Sequence, residues 1–267
     1  MLIQKISETI SYLLSPGNST REPTKTMGNR FKSSLEGEPV PHEYRDVRRT
    51  EGVQSQEDVQ SNIIQFDKCL EFLEKAGKAY TSPKFRIWPE DHLIIFKLLV
   101  YFYQDKPNAE KHGIDLHKGI LLTGPVGCGK TSLMTLLRFM LAPKEQYIIK
   151  SARDITLEFI QDGYPVINKY SKAAFQQTSG ELIPKAYCFD DLGVESNIKY
   201  YGNETNVMAE ILLSRYDMFI GRHMLTHATT NLSASEIESC YGNRVRSRLR
   251  EMINVIAFDK ETKDKRV

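Results

Sequence analysis

The 267 residues are 40% hydrophobic and 26% charged, the balance of an ordinary soluble protein with room for one sizeable α/β domain and an appendage. A formal charge of +2 excludes a whole-chain field strong enough to hold nucleic acid, so any such contact must come from local patches. The four cysteines, Cys69, Cys128, Cys188 and Cys240, stand far apart with no CxxC pair, which argues against a zinc site or a disulfide framework and predicts a reduced, cytoplasmic setting.

In chain order, residues 1–14 place Ile3, Ile6, Ile10 and Leu13 along one seam of an amphipathic helix. Glu8 interrupts the apolar core that a signal peptide would need. Residues 15–60 turn polar, with scattered Pro, Gly and Ser and charges of both signs, as expected of a flexible linker. Residues 61–267 are expected to be globular. They open with a helix near 63–76 and continue with a second helix from Pro89, where proline suits the first turn and Glu90 and Asp91 favour the positive helix end. That helix carries LIIFKLLVYFY, from Leu93 to Tyr103, which Lys97 interrupts and which is much shorter than the roughly 20 residues of a membrane span. It is predicted to be buried, and no membrane partner is expected.

From there short apolar runs alternate with longer helical patterns. GILLTG precedes TSLMTLLRFML, YIIKSA precedes DITLEFIQDG, AYCFDD precedes NVMAEILLSRYDMF, MLTHATTN precedes SEIESCYGNRVRSRLREM, and NVIAF closes the series. Such alternation predicts an α/β fold, a parallel sheet of five strands with helices on both faces.

GPVGCGKT, residues 124–131, satisfies G-x-x-x-x-G-K-[ST] through Gly124, Gly129, Lys130 and Thr131, between an apolar strand and a helix. The expected phosphate contacts are Gly124, Pro125, Val126, Gly127, Cys128, Gly129, Lys130, Thr131 and Ser132: backbone N–H groups curl around the anion and the helix N-terminus adds positive potential. Lys130 reaches the outer phosphates and Thr131 ligates magnesium. AYCFDD ends a strand in Asp190 and Asp191, suited to the magnesium shell and to the attacking water respectively, although adjacent acids at a strand end also cap turns. Asn231 ends the next strand, where a polar side chain orients water; Ser233 and Glu236 after it form a capping box. In NRVRSRLR, Arg244 and Arg248 share one helix face; the run is either a solvated face or places Arg248 in a neighbouring subunit's site, which would make the active form an oligomer.

The ordered set GPVGCGKT, CFDDLG, HATTN and YGNRVRSRL, over roughly residues 80–267, resembles the AAA+ ATPases of the DnaC/IstB group, the bacterial replicative helicase loaders and transposition helpers. The resemblance implies a P-loop NTPase (AAA+/ASCE) fold as a three-layer sandwich, without the C-terminal helical lid of many AAA+ proteins. It also implies ATP and Mg2+ as cofactors, Lys130 as the Walker A lysine, Asp190 and Asp191 as Walker B acids, Asn231 as sensor 1 and Arg248 as arginine finger. Asp191 stands where most of these proteins carry glutamate, so slow, partner-stimulated hydrolysis is expected. In this group the segment after the second strand is a helical insertion that touches single-stranded DNA. Here that is residues 154–177, with Tyr164, Lys169, Tyr170, Lys172 and Phe175; Lys169 and Lys172 are the expected DNA contacts, and the alternative is a helical hairpin packing its aromatics on the core. The expected partners are single-stranded DNA, further copies of the chain and a replicative helicase docked on residues 1–14, a seam that could instead fold back on its own domain. The alternative functions are a transposition helper that serves a transposase on duplex DNA, and a defence or signalling ATPase that recruits a protein effector. Arg266, in KETKDKRV, loosely matches a terminal arginine of the group, and the run around it reads as a frayed basic tail.

Overall fold

The computed structural model describes residues 56–178, 180–195, 198–200 and 203–266. The amphipathic segment 1–14 and residues 15–55 of the expected linker lie outside the described residues. The chain divides into two compact units, Met1–Leu70 and Glu71–Val267. Of the first, the described part is the start of helix α1 (Gln56–Tyr80), which begins within the residues read as linker and runs past the 63–76 expected from sequence. The rest of α1, in the second unit, buries Phe72, Leu73 and Ala76.

In the second unit a short 3-10 turn at Pro89–Asp91 leads into α2 (His92–Phe102), followed by α3 (Lys106–Lys111). As its composition predicts, α2 is a core helix that buries Ile94, Ile95, Leu98, Leu99, Val100 and Tyr101. The strands and helices then alternate: β1 (Gly119–Thr123), α4 (Lys130–Phe139), β2 (Ile148–Ser151), α5 (Ala152–Asp162), α6 (Pro165–Tyr170), β3 (Phe175–Thr178), β4 (Glu181–Pro184), β5 (Tyr187–Leu192), β6 (Ile198–Tyr200), β7 (Asn203–Thr205), α7 (Val207–Arg222), β8 (Thr226–Thr230), α8 (Ala234–Met252) and β9 (Ile253–Ala257). Short polar residues at the strand-to-helix junctions set the helix starts. Ser151 accepts the N–H of Asp154 at 3.3 Å, Asn206 that of Ala209 at 2.9 Å, and Ser233 with Glu236 forms the capping box read from the sequence.

The main sheet has five strands in the order β2-β5-β8-β1-β9, every neighbouring pair parallel. This is the predicted α/β architecture with all carboxyl ends on one edge. The two antiparallel hairpins, β3–β4 and β6–β7, were not expected: the reading of 154–177 as helical holds through α5 and α6, but from Phe175 the chain forms a hairpin that turns at Gly180, φ 86°. Among the described residues no helix follows β9, and none is long and apolar enough to cross a membrane.

Two buried polar side chains tie the layers together. The guanidinium of Arg215, fully buried on α7, donates to Thr226 Oγ1 (2.7 Å) and to the carbonyls of Tyr170 (2.9 Å), Lys185 (3.1 Å) and Leu225 (2.6 Å), joining α6 and the entry to β5 to the start of β8. His227, on β8, accepts the Ile120 N–H on Nδ1 at 3.2 Å and is ringed by Tyr101, Phe102 and Tyr147. Burial, followed by the Arg215 charge, drives its pKa down to about 3. The unfolded chain then takes up a proton at this residue as pH falls through about 6.5, and the native protein does not until near its own value, so stability drops with pH across that window. His227 alone should remove about 2 kcal/mol of unfolding free energy between pH 7 and 5. Urea titrations at the two pH values should show that loss shrinking in His227→Gln; equal pH dependence in the two proteins would refute it.

Candidate functional site

The site lies at the carboxyl edge of the sheet, where β1 passes into α4. Gly127 (φ 80°) and Gly129 (φ 102°) curl the chain into the left-handed region that favours glycine, and α4 starts at Lys130. The first-turn N–H groups of α4 therefore have no carbonyl one turn back, and they face the concavity of the loop. Lys130 is nearly buried, with Nζ 2.8 Å from the Gly124 carbonyl and 2.9 Å from that of Pro125. Its ammonium, folded onto neutral carbonyls inside an anion-shaped loop, is poised to exchange them for charged oxygens. Cys128 is buried beneath it, the desolvated thiol raised above its ordinary pKa.

The strand order decides what faces this loop. Because β8 is inserted between β1 and β5, Asp190 looks across Thr229 toward α4. Its carboxylate accepts the Thr131 hydroxyl (2.9 Å to Oδ1, 3.1 Å to Oδ2) and the Thr229 hydroxyl (2.7 Å to Oδ1). Thr229 Oγ1 in turn accepts the Asp191 N–H at 2.9 Å. At that point β5 and β8 shift register between Phe189 and Leu192, and Asp191 takes φ 56°, a left-handed conformation that costs a non-glycine residue about 1–2 kcal/mol. The hydroxyl of Thr229 thus positions both acids. Partial burial, then the Asp190 charge beside it, raises the Asp191 carboxyl above its ordinary range, while Lys130 and Arg266 pull the other way. The donors fit the cofactors implied by the sequence. Thr131 and Asp190 are hard oxygen ligands suited to Mg2+, the loop is shaped for phosphates, and among the described residues no three His, Cys, Asp or Glu side chains form a metal cage of their own.

The remaining expected residues fall in different places. Asn231 sits just past β8 and is exposed, while the strand residue that touches Asp190 is Thr229, buried and two positions earlier. Arg248 is half-buried within its own subunit, 4.3 Å over the Tyr216 ring, with Nη1 3.1 Å from Tyr216 Oη and 3.5 Å from Glu251 Oε1. Arg244 is exposed on the same helix, beyond a kink where Gly242 leaves the helical region at φ 85°. Lys169 is ion-paired with Glu158 at 2.5 Å, and Glu158 also accepts the Tyr170 hydroxyl at 2.8 Å. Tyr170 is fully buried and Phe175 packs against the core, so for those two rings packing is the role seen. Lys172 and Tyr164 are exposed. The run around Arg266 is not frayed through residue 266: Lys265 and Asp264 pack against the phosphate loop, and Lys265 pairs with Asp91, a contact no sequence pattern marks. Glu195 was also missed. It accepts the Gly193 N–H and the Tyr241 hydroxyl, anchoring the loop after β5 to α8.

No family model and no curated protein matches this sequence. Among solved structures it is similar to the DnaC helicase loader, at 16% identity over 65% of this chain and 92% of that one, TM-score 0.45. It is also similar to a putative primosome component from Streptococcus pyogenes serotype M3, at 17% identity over 66% and 83%, TM-score 0.45. A third is AMPPCP-bound DnaA from Aquifex aeolicus, at 17% identity over 70% and 53%, TM-score 0.41.

Thr229 gives the site a direct test. Thr229→Val removes one donor to Asp190 and the acceptor of the Asp191 N–H in a buried place, and should destabilise the protein by about 1–3 kcal/mol, whereas Thr229→Ser keeps the hydroxyl and should recover most of that. Denaturant unfolding of the three proteins measures it; a loss in Thr229→Ser with none in Thr229→Val would mean that the methyl, not the hydroxyl, matters.

Proposed function

We propose that this chain is a Mg2+-dependent AAA+ ATPase that acts on DNA, as a loader of a replicative helicase. What supports the ATPase part of this reading is the meeting of Thr131, Asp190 and Thr229 beside Lys130, on a five-stranded parallel sheet in which β8 separates the phosphate-loop strand from the acidic strand; the loader part rests on the resemblance of the sequence motifs. Lys130 and the loop N–H groups would hold the β and γ phosphates of ATP. Thr131 and Asp190 would hold Mg2+, which supplies charge neutralisation of the phosphate oxygens. Asp191 would orient the attacking water and take its proton, a role that needs the ionised carboxylate. Because its pKa is raised, hydrolysis should decline as pH falls toward it, starting above the ordinary aspartate range of about 4.

For DNA, exposed Lys172 would meet a single strand beside the exposed Tyr164 ring, which packs edge-on against Phe159, with Lys169 committed to Glu158 unless the strand displaces it. For assembly, Arg248 would have to leave Tyr216 and Glu251 to serve a neighbouring subunit, a rearrangement that would add to the slow partner-free hydrolysis expected from Asp191. Residues 1–14 would dock on the helicase.

Fluorescence anisotropy with matched single-stranded and duplex DNA, with and without a non-hydrolysable ATP analogue, tests this. The loader reading predicts ATP-dependent preference for the single strand, lost with Lys130→Ala, which should also weaken ATP binding about 10- to 100-fold by removing charge-assisted contacts. Duplex preference would replace it with a transposition helper, and no DNA binding in any state with a protein-recruiting ATPase.

A further inference from the structure

After β9 the chain turns back across the phosphate loop. Phe258 donates its N–H to the Thr123 carbonyl at 2.8 Å, and its side chain closes on Gly124, where any Cβ would overlap it. Further on, the Lys265 N–H donates to the Gly127 carbonyl at 3.0 Å. The Asp264 carboxylate lies directly against Gly127, in the space a Cβ there would take, and it is oriented by the Arg266 N–H at 3.0 Å and Nε at 3.2 Å. The segment is pinned from the other side. Lys265 Nζ pairs with Asp91 Oδ1 at 2.5 Å and lies 5.2 Å over the Phe258 ring, the paired side chains only 14% and 10% exposed.

These contacts set a carboxylate against a loop whose geometry selects anions. A triphosphate entering that loop meets the Asp264 carboxylate at short range, a repulsion that solvent and the ion-paired Arg266 moderate because Asp264 is exposed. The segment cannot simply swing away, because parting Lys265 from Asp91 exposes two charges that the fold has largely desolvated together, and leaving either behind alone is costly. The Lys265–Asp91 pair therefore acts as a latch, and the Asp264 carboxylate as the competing anion. Neither the latch nor the carboxylate belongs to the groups that would bind magnesium or activate water.

We propose that residues 259–266 form an autoinhibitory strap, latched by Lys265–Asp91, which a nucleotide must displace from Gly127 to occupy the phosphate loop. The inference rests on the phosphate loop binding a nucleotide. Displacement makes nucleotide occupancy visible on the outside of the molecule: in the free protein the strap lies on Gly127, and with nucleotide bound residues 259–266 are free for another surface.

The test is the Kd of the full chain for a fluorescent ATP analogue with Mg2+. Asp264→Ala and Lys265→Ala should each tighten binding by about 3- to 10-fold relative to wild type. Because Lys265→Ala strands a desolvated Asp91, the double variant Asp91→Asn/Lys265→Met, which removes both charges, should give the same gain in a folded protein. Hydrogen exchange supplies an independent readout: the Lys265 amide, protected by Gly127 in the free protein, should exchange faster when nucleotide is added. Wild-type or weaker affinity in the folded variants, or unchanged exchange at Lys265 with nucleotide bound, overturns the strap while leaving nucleotide binding intact. No binding by wild type or any folded variant overturns the nucleotide reading, and the strap with it.

Discussion

One carboxylate organises this molecule. Asp190 takes hydroxyl hydrogens from Thr131 at the head of α4 and from Thr229 on β8, so three segments far apart in sequence must meet at its two oxygens. That requirement explains the strand order: only with β8 between β1 and β5 does Thr229 lie between the phosphate loop and the acidic strand. It also explains the irregularity beside it, since Thr229 accepts the Asp191 N–H and holds that residue at φ 56° where β5 shifts register against β8. The second acid is turned out of the regular strand while the first stays in the hydrogen-bond network.

Around this centre the structure stores charge. Lys130 is nearly buried with neutral hydrogen-bond partners, the Gly124 and Pro125 carbonyls and the Cys128 sulfur, Asp191 is held above its ordinary pKa by partial burial and by Asp190, and Lys265 with Asp91 lies largely sealed from water at the outer side of the loop. The first two arrangements are less favourable than they would be with a polyphosphate and a divalent cation present, because a buried ammonium hydrogen-bonded only to neutral groups and two adjacent carboxylates both gain from them. The scaffold bears that cost through elements well away from the site. Arg215, with its guanidinium hydrogen bonds, fastens the sheet's far edge, and His227, kept neutral by burial, fills the space between β8, β1 and the aromatic side chains of α2.

Local pattern and long-range pairing differ in how visible they are in the chain. GPVGCGKT announced its loop because every requirement, φ at the glycines, the amine of Lys130 and the hydroxyl of Thr131, falls within eight consecutive residues. The five strands showed as apolar runs, and Ser233 with Glu236 showed as a cap, for the same reason. The hairpin Phe175–Thr178 with Glu181–Pro184 was hidden, since FQQT and ELIP are short and show no clean alternation. Thr229 was hidden among HATTN: three neighbouring polar residues are equivalent until the sheet turns one of them toward Asp190. Lys169 read as a free cation because its partner, Glu158, lies on the preceding helix, and KETKDKRV read as frayed because Asp91 is distant in sequence. What sequence could not provide in each case was the identity of a partner brought near by the fold.

The central claim is that this carboxyl-edge constellation binds Mg2+-ATP and that Asp191 drives its hydrolysis. The measurement that tests it most directly is single-turnover phosphate release by wild type and Asp191→Asn, with ATP binding titrated on the same samples. Binding that is kept in Asp191→Asn while phosphate release is lost would bear the account out; release at the wild-type rate, or no Mg2+-dependent ATP binding in wild type, would contradict it.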